Sequence, residues 1–169
     1  MHTFPGVAPI VVSTTYFDQY LDKVRNGQAF SMEGDEFGVA VANDFQKLQL
    51  KNPTGSGKNL VLVRAIFANL TATKWFVEPI VSPADATVGN QRTPQPRKFG
   101  QAAAVGLTGY NDTAIVPARS TLAAGRIAAN ERREVNLGVV LIPNSSILLS
   151  LQVPNITDVN LVGADWYEE

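Results

Sequence analysis

The chain has 169 residues, of which 17% are charged and 45% hydrophobic, and its formal net charge is −1. That length supports one domain with a proper core and is too short for two ordinary ones, while the near-neutral charge supplies no field to draw it to nucleic acid or an anionic membrane. With no cysteine and a single histidine, His2, the chain has no disulfide framework, no thiolate or zinc site and no cysteine nucleophile, and it has little with which to build a histidine triad.

Residues 1–12 read as an extended arm. Pro5 and Pro9 fix the backbone and remove donors, while Phe4, Val7, Ile10 and Val11 offer apolar surface that must lie on something. The same prolines interrupt any signal-peptide core, and no basic segment precedes it, so no signal peptide is read. No window reaches the roughly 18 uninterrupted apolar residues of a membrane-spanning helix, and a soluble protein is expected.

One helix comes next, over about 15–26. Thr15 with Asp18 makes a capping box, Tyr16, Phe17, Tyr20, Leu21 and Val24 recur at helical spacing, and Asn26-Gly27 is a stop. After it, Glu33-Gly-Asp-Glu36 sets three carboxylates around a glycine but lacks the alternating ligands of a calcium loop, so it reads as a solvated turn.

From Phe37 onward the pattern is β structure. Candidate strands cover 37–42, 45–50, 60–70, 74–80, 102–107, 133–142, 147–153 and 159–166, each bounded by Gly, Pro, Asn or Asp. Eight short strands in residues 13–169 predict a single antiparallel β-sandwich domain. The segment Leu60–Leu70 is apolar on both faces, Leu60, Leu62, Ile66 and Leu70 on one and Val61, Val63, Ala65 and Phe67 on the other, as in a strand covered on both sides. Pro143-Asn-Ser-Ser146 reads as the turn of a hairpin into a half-buried strand, 147–153. Low charge on these strands leaves edges unprotected and favours an oligomer.

Gly55-Ser-Gly-Lys58 invites a phosphate-loop reading, but the full motif needs glycine at Asn52 and Ser or Thr at Asn59, with a helix after it. The residues from Leu60 onward are strand-like, so the stretch is read as a turn. Asp112, Glu131, Glu134 and Asp165 could pair as acid and base of a glycosidase only if the fold brought them together. Asn69, Asn111, Asn144 and Asn155 begin Asn-x-Ser/Thr triplets, and are read as turn residues near strand ends. Residues 80–99 and 110–129 make long connections without periodicity, of the kind that forms contact surfaces.

The combination of Asn26-Gly-Gln-Ala-Phe30, Leu48-Gln-Leu-Lys-Asn-Pro-Thr-Gly-Ser-Gly-Lys58 leading into an apolar strand, Pro143-Asn-Ser-Ser-Ile-Leu-Leu-Ser-Leu151 and the C-terminal Asp165-Trp-Tyr-Glu-Glu169 resembles small jelly-roll structural proteins of tailed bacteriophages. The likeness covers the helix, the central hairpin and the last two strands, and leaves residues 80–130 unmatched. It implies a jelly roll that cements or decorates the outside of an assembled capsid, across junctions between major capsid proteins, as a homotrimer or homodimer. The protein would be made in the bacterial host cytoplasm and end on the virion surface, with no enzymatic activity, no catalytic residue and no cofactor or metal. The expected contacts are Phe4, Val7, Ile10 and Val11 on the arm and Arg92, Arg97, Lys98, Phe99 and Tyr110 in the loops, toward the major capsid protein or a second subunit. The competing expectation is a glycan-binding virion module that stacks sugars on Trp75, Tyr110, Trp166 and Tyr167.

Overall fold

The computed structural model describes residues 12–35, 42–80, 90–110 and 121–169. Helix α1 (Val12–Arg25) opens the described chain. Its C-terminus closes as a Schellman motif, with Gly27 N–H donating to the Val24 carbonyl (3.1 Å) and Gln28 N–H to that of Lys23 (2.8 Å). Gly27 takes φ +70° there, which glycine adopts without a Cβ penalty. At the other end the helix differs from expectation: it already runs at Val12, so Thr15 lies inside it and not at its cap. Ser13, Thr14 and Thr15 are all capping residue types, and spacing alone does not choose among them.

The strands, in chain order, are β1 (Ala29–Asp35), β2 (Asp44–Asn52), β3 (Leu60–Asn69), β4 (Thr73–Ile80), β5 (Asn90–Arg92), β6 (Gln95–Pro96), β7 (Leu107–Tyr110), β8 (Ala123–Ile127), β9 (Glu131–Leu141), β10 (Ser145–Val153) and β11 (Asn160–Glu168). They build two antiparallel sheets. The first has the order β6-β1-β11-β3-β9 and the second β5-β7-β2-β10-β4-β8.

Among the strands of five residues or more, the first pairs with the last (β1 with β11) and the second with the second-last (β2 with β10). The third pairs with the third-last (β3 with β9), and the middle two with each other (β4 with β8). These nested pairs, distributed over two sheets, are the topology of a jelly roll. The segment between β4 and β8 adds β5 and β7 beside β2 and β6 beside β1.

Two expected hairpins are corrected by this topology. β2 and β3 lie in opposite sheets, as do β9 and β10, so both connections are corners crossing the sandwich. Turn residues mark where a chain reverses but not which sheet the next strand joins. One residue ties the two corners together: buried Asn52 donates through Nδ2 to the carbonyls of Lys58 and Leu141 (2.8 Å each), and its backbone carbonyl accepts the Asn144 N–H at 2.9 Å.

β3 is covered on both faces as expected, but its faces exchange partway. Asp165 pairs with Arg64 and Trp166 with Leu62, leaving Val63 as a bulge. Leu60, Leu62, Ala65 and Phe67 therefore share the core, while Val61 and Val63 face the helix; strict alternation had placed Ala65 and Phe67 on the other face, and had buried Leu70, which is exposed. In the core, Trp75 stacks on Phe67 at 5.1 Å and Trp166 on Phe30 at 6.0 Å. β10 is buried on both faces, Leu148 and Ser150 included, because it sits at the centre of its sheet between β2 and β4.

β1, β5, β6 and β8 went unread in the sequence, β5 and β6 within the stretch 80–99 read as a connection, and the expected strand over 102–107 begins only at Leu107. The expected strand over 37–42 falls almost wholly outside the described residues.

Candidate contact surface

α1 lies on the outer face of the first sheet. Tyr20 and Val24 pack against Ala29, Val61, Val63 and Tyr167, which form a small apolar cluster of their own. Beside it runs a chain of alternating charges that crosses every long strand of the sheet. Glu33 on β1 accepts from Arg132 on β9 at 2.9 Å, and Arg132 lies 3.5 Å from Glu134. Glu134 in turn accepts from Arg64 on β3 at 2.7 Å, and Arg64 Nε donates to Asp165 on β11 at 2.8 Å. Asp165 also accepts from Arg97 at 3.1 Å, and Arg97 Nε donates to the Tyr20 hydroxyl at 3.1 Å.

Three guanidinium groups and three carboxylates thus neutralise one another, and burial deepens toward Asp165, whose side chain is only 1% exposed. Burial alone would lower the Arg64 pKa, but the hydrogen bond and charge of Asp165, with Glu134, hold it above its ordinary value. Burial also raises the Tyr20 hydroxyl, helped by the Asp165 charge and opposed by the hydrogen bond from Arg97. Tyr20 stays neutral and holds the helix to the network.

Arg97 opens a tight turn over residues 97–101. Its N–H donates to the Ala29 carbonyl (3.0 Å), the Lys98 N–H donates to Gln101 Oε1 (3.0 Å), and Gln101 Nε2 returns to the Ala29 carbonyl (2.9 Å). Lys98 Nζ donates to the Arg25 carbonyl at 2.8 Å, capping the negative end of α1. Between these anchors Phe99 stands fully exposed. A phenylalanine held in water on a braced turn is a contact residue in form, since about 25 cal/mol per Å² of apolar area is recovered when a partner covers it.

At the far end of the sandwich, Leu70 and Val159 are exposed around a groove of about 320 Å³ that Ala68, Leu161, Asn130 and Arg132 also line. Asp158 Oδ1 accepts the Thr71 hydroxyl there at 3.1 Å and fixes the two loops to each other.

Set against protein-family models, curated proteins and solved structures, the chain matches none.

The structure brings Arg97, Lys98 and Phe99 together on the turn, with the two cations, exposed as they are, each hydrogen-bonded back to the fold and Phe99 presented outward. Arg92 lies in β5 opposite Thr108, and Tyr110 ends β7, paired with Leu48 on one side and Asn90 on the other. Phe4, Val7, Ile10 and Val11 lie outside the described residues. Trp75, Trp166 and Tyr167 are buried, so they offer no stacking platform for a sugar.

The glycine loop is a turn that leads into β3, not a helix, and Lys58 pairs with the buried carboxylate of Glu168 at 3.3 Å. The other oxygen of Glu168 accepts the backbone N–H groups of Val105 (2.8 Å) and Gly106 (3.0 Å), tying the long connection to the last strand. Of the four candidate carboxylates, Glu134 and Asp165 do meet, on Arg64, while Glu131 accepts the Ala128 N–H at 2.7 Å and Asp112 lies outside the described residues. Glu33 is a strand residue paired with Arg132, not part of a solvated turn.

The ionic chain and the anchoring by Glu168 were missed in the sequence. Their one signal was an acid within the apolar run of β11, at Asp165, since a charge in a buried strand requires a partner.

Proposed function

We propose that the protein is a structural virion component that binds the outside of an assembled bacteriophage capsid and stabilises junctions between major capsid proteins. The observation that carries this reading is Phe99, fully exposed on a turn braced by hydrogen bonds to β1 and α1. The jelly-roll topology, one use of which is in viral capsids, is compatible with it.

The physics of cementing is linkage. A ligand that binds only the assembled shell stabilises that shell by RT ln(1 + [L]/Kd), about 2.7 kcal/mol per site at a free concentration near 100 Kd. A standard interface buries on the order of 800 Å² per partner, and repeating it at every symmetry-related site adds small terms into a stiff shell.

Co-sedimentation with emptied heads of the encoding phage, and separately with dissociated capsid subunits, tests the reading. The protein is expected to pellet with heads and not to bind free subunits. Phe99→Ala is expected to weaken pelleting at least tenfold while leaving the unfolding midpoint unchanged, since the side chain touches nothing that the fold needs. Absence of pelleting with intact heads would refute it. The glycan-binding alternative loses its platforms to the core, and only Tyr110 of its four aromatic residues is not shown buried.

A further inference from the structure

Among the described residues the two sheets end in four edge strands, and three are short. β6 has two residues and carries Pro96, which lacks a donor; β5 has three; β8 has five and includes Arg126. The fourth, β9, has eleven residues, and among the described residues it pairs only with β3, with a register shift where Leu137 and Gly138 together oppose Val63. Its first four residues, Glu131-Arg132-Arg133-Glu134, are charged, while Val135–Leu141 carries no charge at all. Along that stretch Val135, Leu137 and Val139 pack on the core yet stay half-buried, and Val140 is 50% exposed, with Ile142 just beyond it at 62%. An edge of this length and character is a template for another strand.

We propose that the occupant is β9 of a second copy, paired antiparallel about a two-fold axis at Gly138. The side chains select this partner and this register. About Gly138, Leu137 faces Val139 of the second copy and Val135 faces Leu141, closing both half-buried rows; Asn136 faces Val140 on the outer side. The ladder ends where Arg133 would meet Pro143, which has no N–H to give. A two-fold register centred on the charged block instead sets Arg132 against Arg133 and Glu131 against Glu134, and like charges directly opposed destabilise a sheet. The resulting dimer is isologous, with two five-stranded sheets joined into one across the axis. It stands apart from shell binding: a chain that dimerises this way and ignores capsids leaves the pairing intact.

The cysteine-free chain allows a direct test, because Gly138→Cys introduces its only thiol. Residues directly opposed in an antiparallel ladder have Cα atoms about 4.5–5.5 Å apart, inside the roughly 4.4–6.8 Å range of disulfides. Mild oxidation of Gly138→Cys is expected to give a covalent dimer, while Arg126→Cys on the β8 edge stays single under the same conditions. Light scattering should give the unmodified protein twice the chain mass, halved in a Gly138→Lys, Val140→Lys double variant, which sets lysine directly against lysine at the axis, with an unchanged circular dichroism spectrum. Both sites are exposed, so the fold tolerates the change. A monomer at every concentration overturns the proposal. So does an oligomer whose mass survives both lysines, or Gly138→Cys that cross-links no faster than Arg126→Cys. A threefold ring overturns it as well, since it has no two-fold axis to set Gly138 against itself.

Discussion

Asp165 holds the outer face of the first sheet together: its two carboxylate oxygens, themselves buried, join Arg64 on β3 to Arg97 on the turn, whose guanidinium groups keep partial access to solvent. Removing that one charge leaves two partly solvated guanidinium groups without it, so Asp165→Asn is expected to cost about 1.5–3 kcal/mol in urea unfolding. At the exposed end of the same chain of charges, Glu33→Gln should cost less than about 1 kcal/mol. Gly125 is fixed for a steric reason, because a Cβ there would lie 2.6 Å from the Trp75 ring; Gly125→Ala should displace the indole from Phe67 and cost about 1–3 kcal/mol. Glu78 gives a pH signature. Burial raises its pKa above the ordinary 4.5 although Lys47 opposes the shift, so the folded chain holds this proton more tightly than the unfolded one. The group's contribution to stability is then complete below about 4.5 and is lost as pH rises through the folded value. The unmodified protein should therefore gain on Glu78→Gln as the pH falls from neutral, measured as the difference in urea midpoints; a constant difference would contradict this.

Among the elements, α1 and the turn over 97–101 are coupled through Tyr20, Arg97 and Lys98. Arg97→Ala should speed amide hydrogen exchange in α1 while leaving β10, buried at the centre of its sheet, as slow as before. Equal acceleration in both would show that the turn is a global support instead. Element positions were largely legible in the sequence. β2, β3, β4, β9, β10 and β11 each lie within about three residues of the stretch that apolar pattern and turn residues mark, and Asn26-Gly27 ends the helix where expected. What stayed hidden depends on distant partners. β1 carries Ser31, Glu33, Gly34 and Asp35, all turn-like by composition, and it is a strand because β11 pairs with it along its whole length. The bulge at Val63 exchanges the faces of β3 without any local mark, since every residue around it except Arg64 is apolar. Of the candidate surface, the sequence pointed to Arg97, Lys98 and Phe99 as a group, but only the fold shows two of them bonded inward and the third left out.

For the whole molecule, nested pairing makes nearly all of the sheet non-local: β1 must wait for β11, which lies between it and β3. Folding in milliseconds to seconds is expected of such topology, and a chain cut after residue 159 should show no cooperative unfolding, because the middle strand of the first sheet is gone. The same sandwich leaves Phe99 outward on one turn and the apolar half of β9 open on one edge, so its surface is suited to being covered by other proteins. The claim that it cements a capsid is tested most directly by heating DNA-filled heads stripped of this protein, with and without the purified protein added back, and recording the temperature of DNA release. Release shifted upward, saturating with added protein and reduced by Phe99→Ala, is the predicted result. Release at the same temperature with and without protein, under conditions where the unmodified protein is bound to the heads, would contradict it.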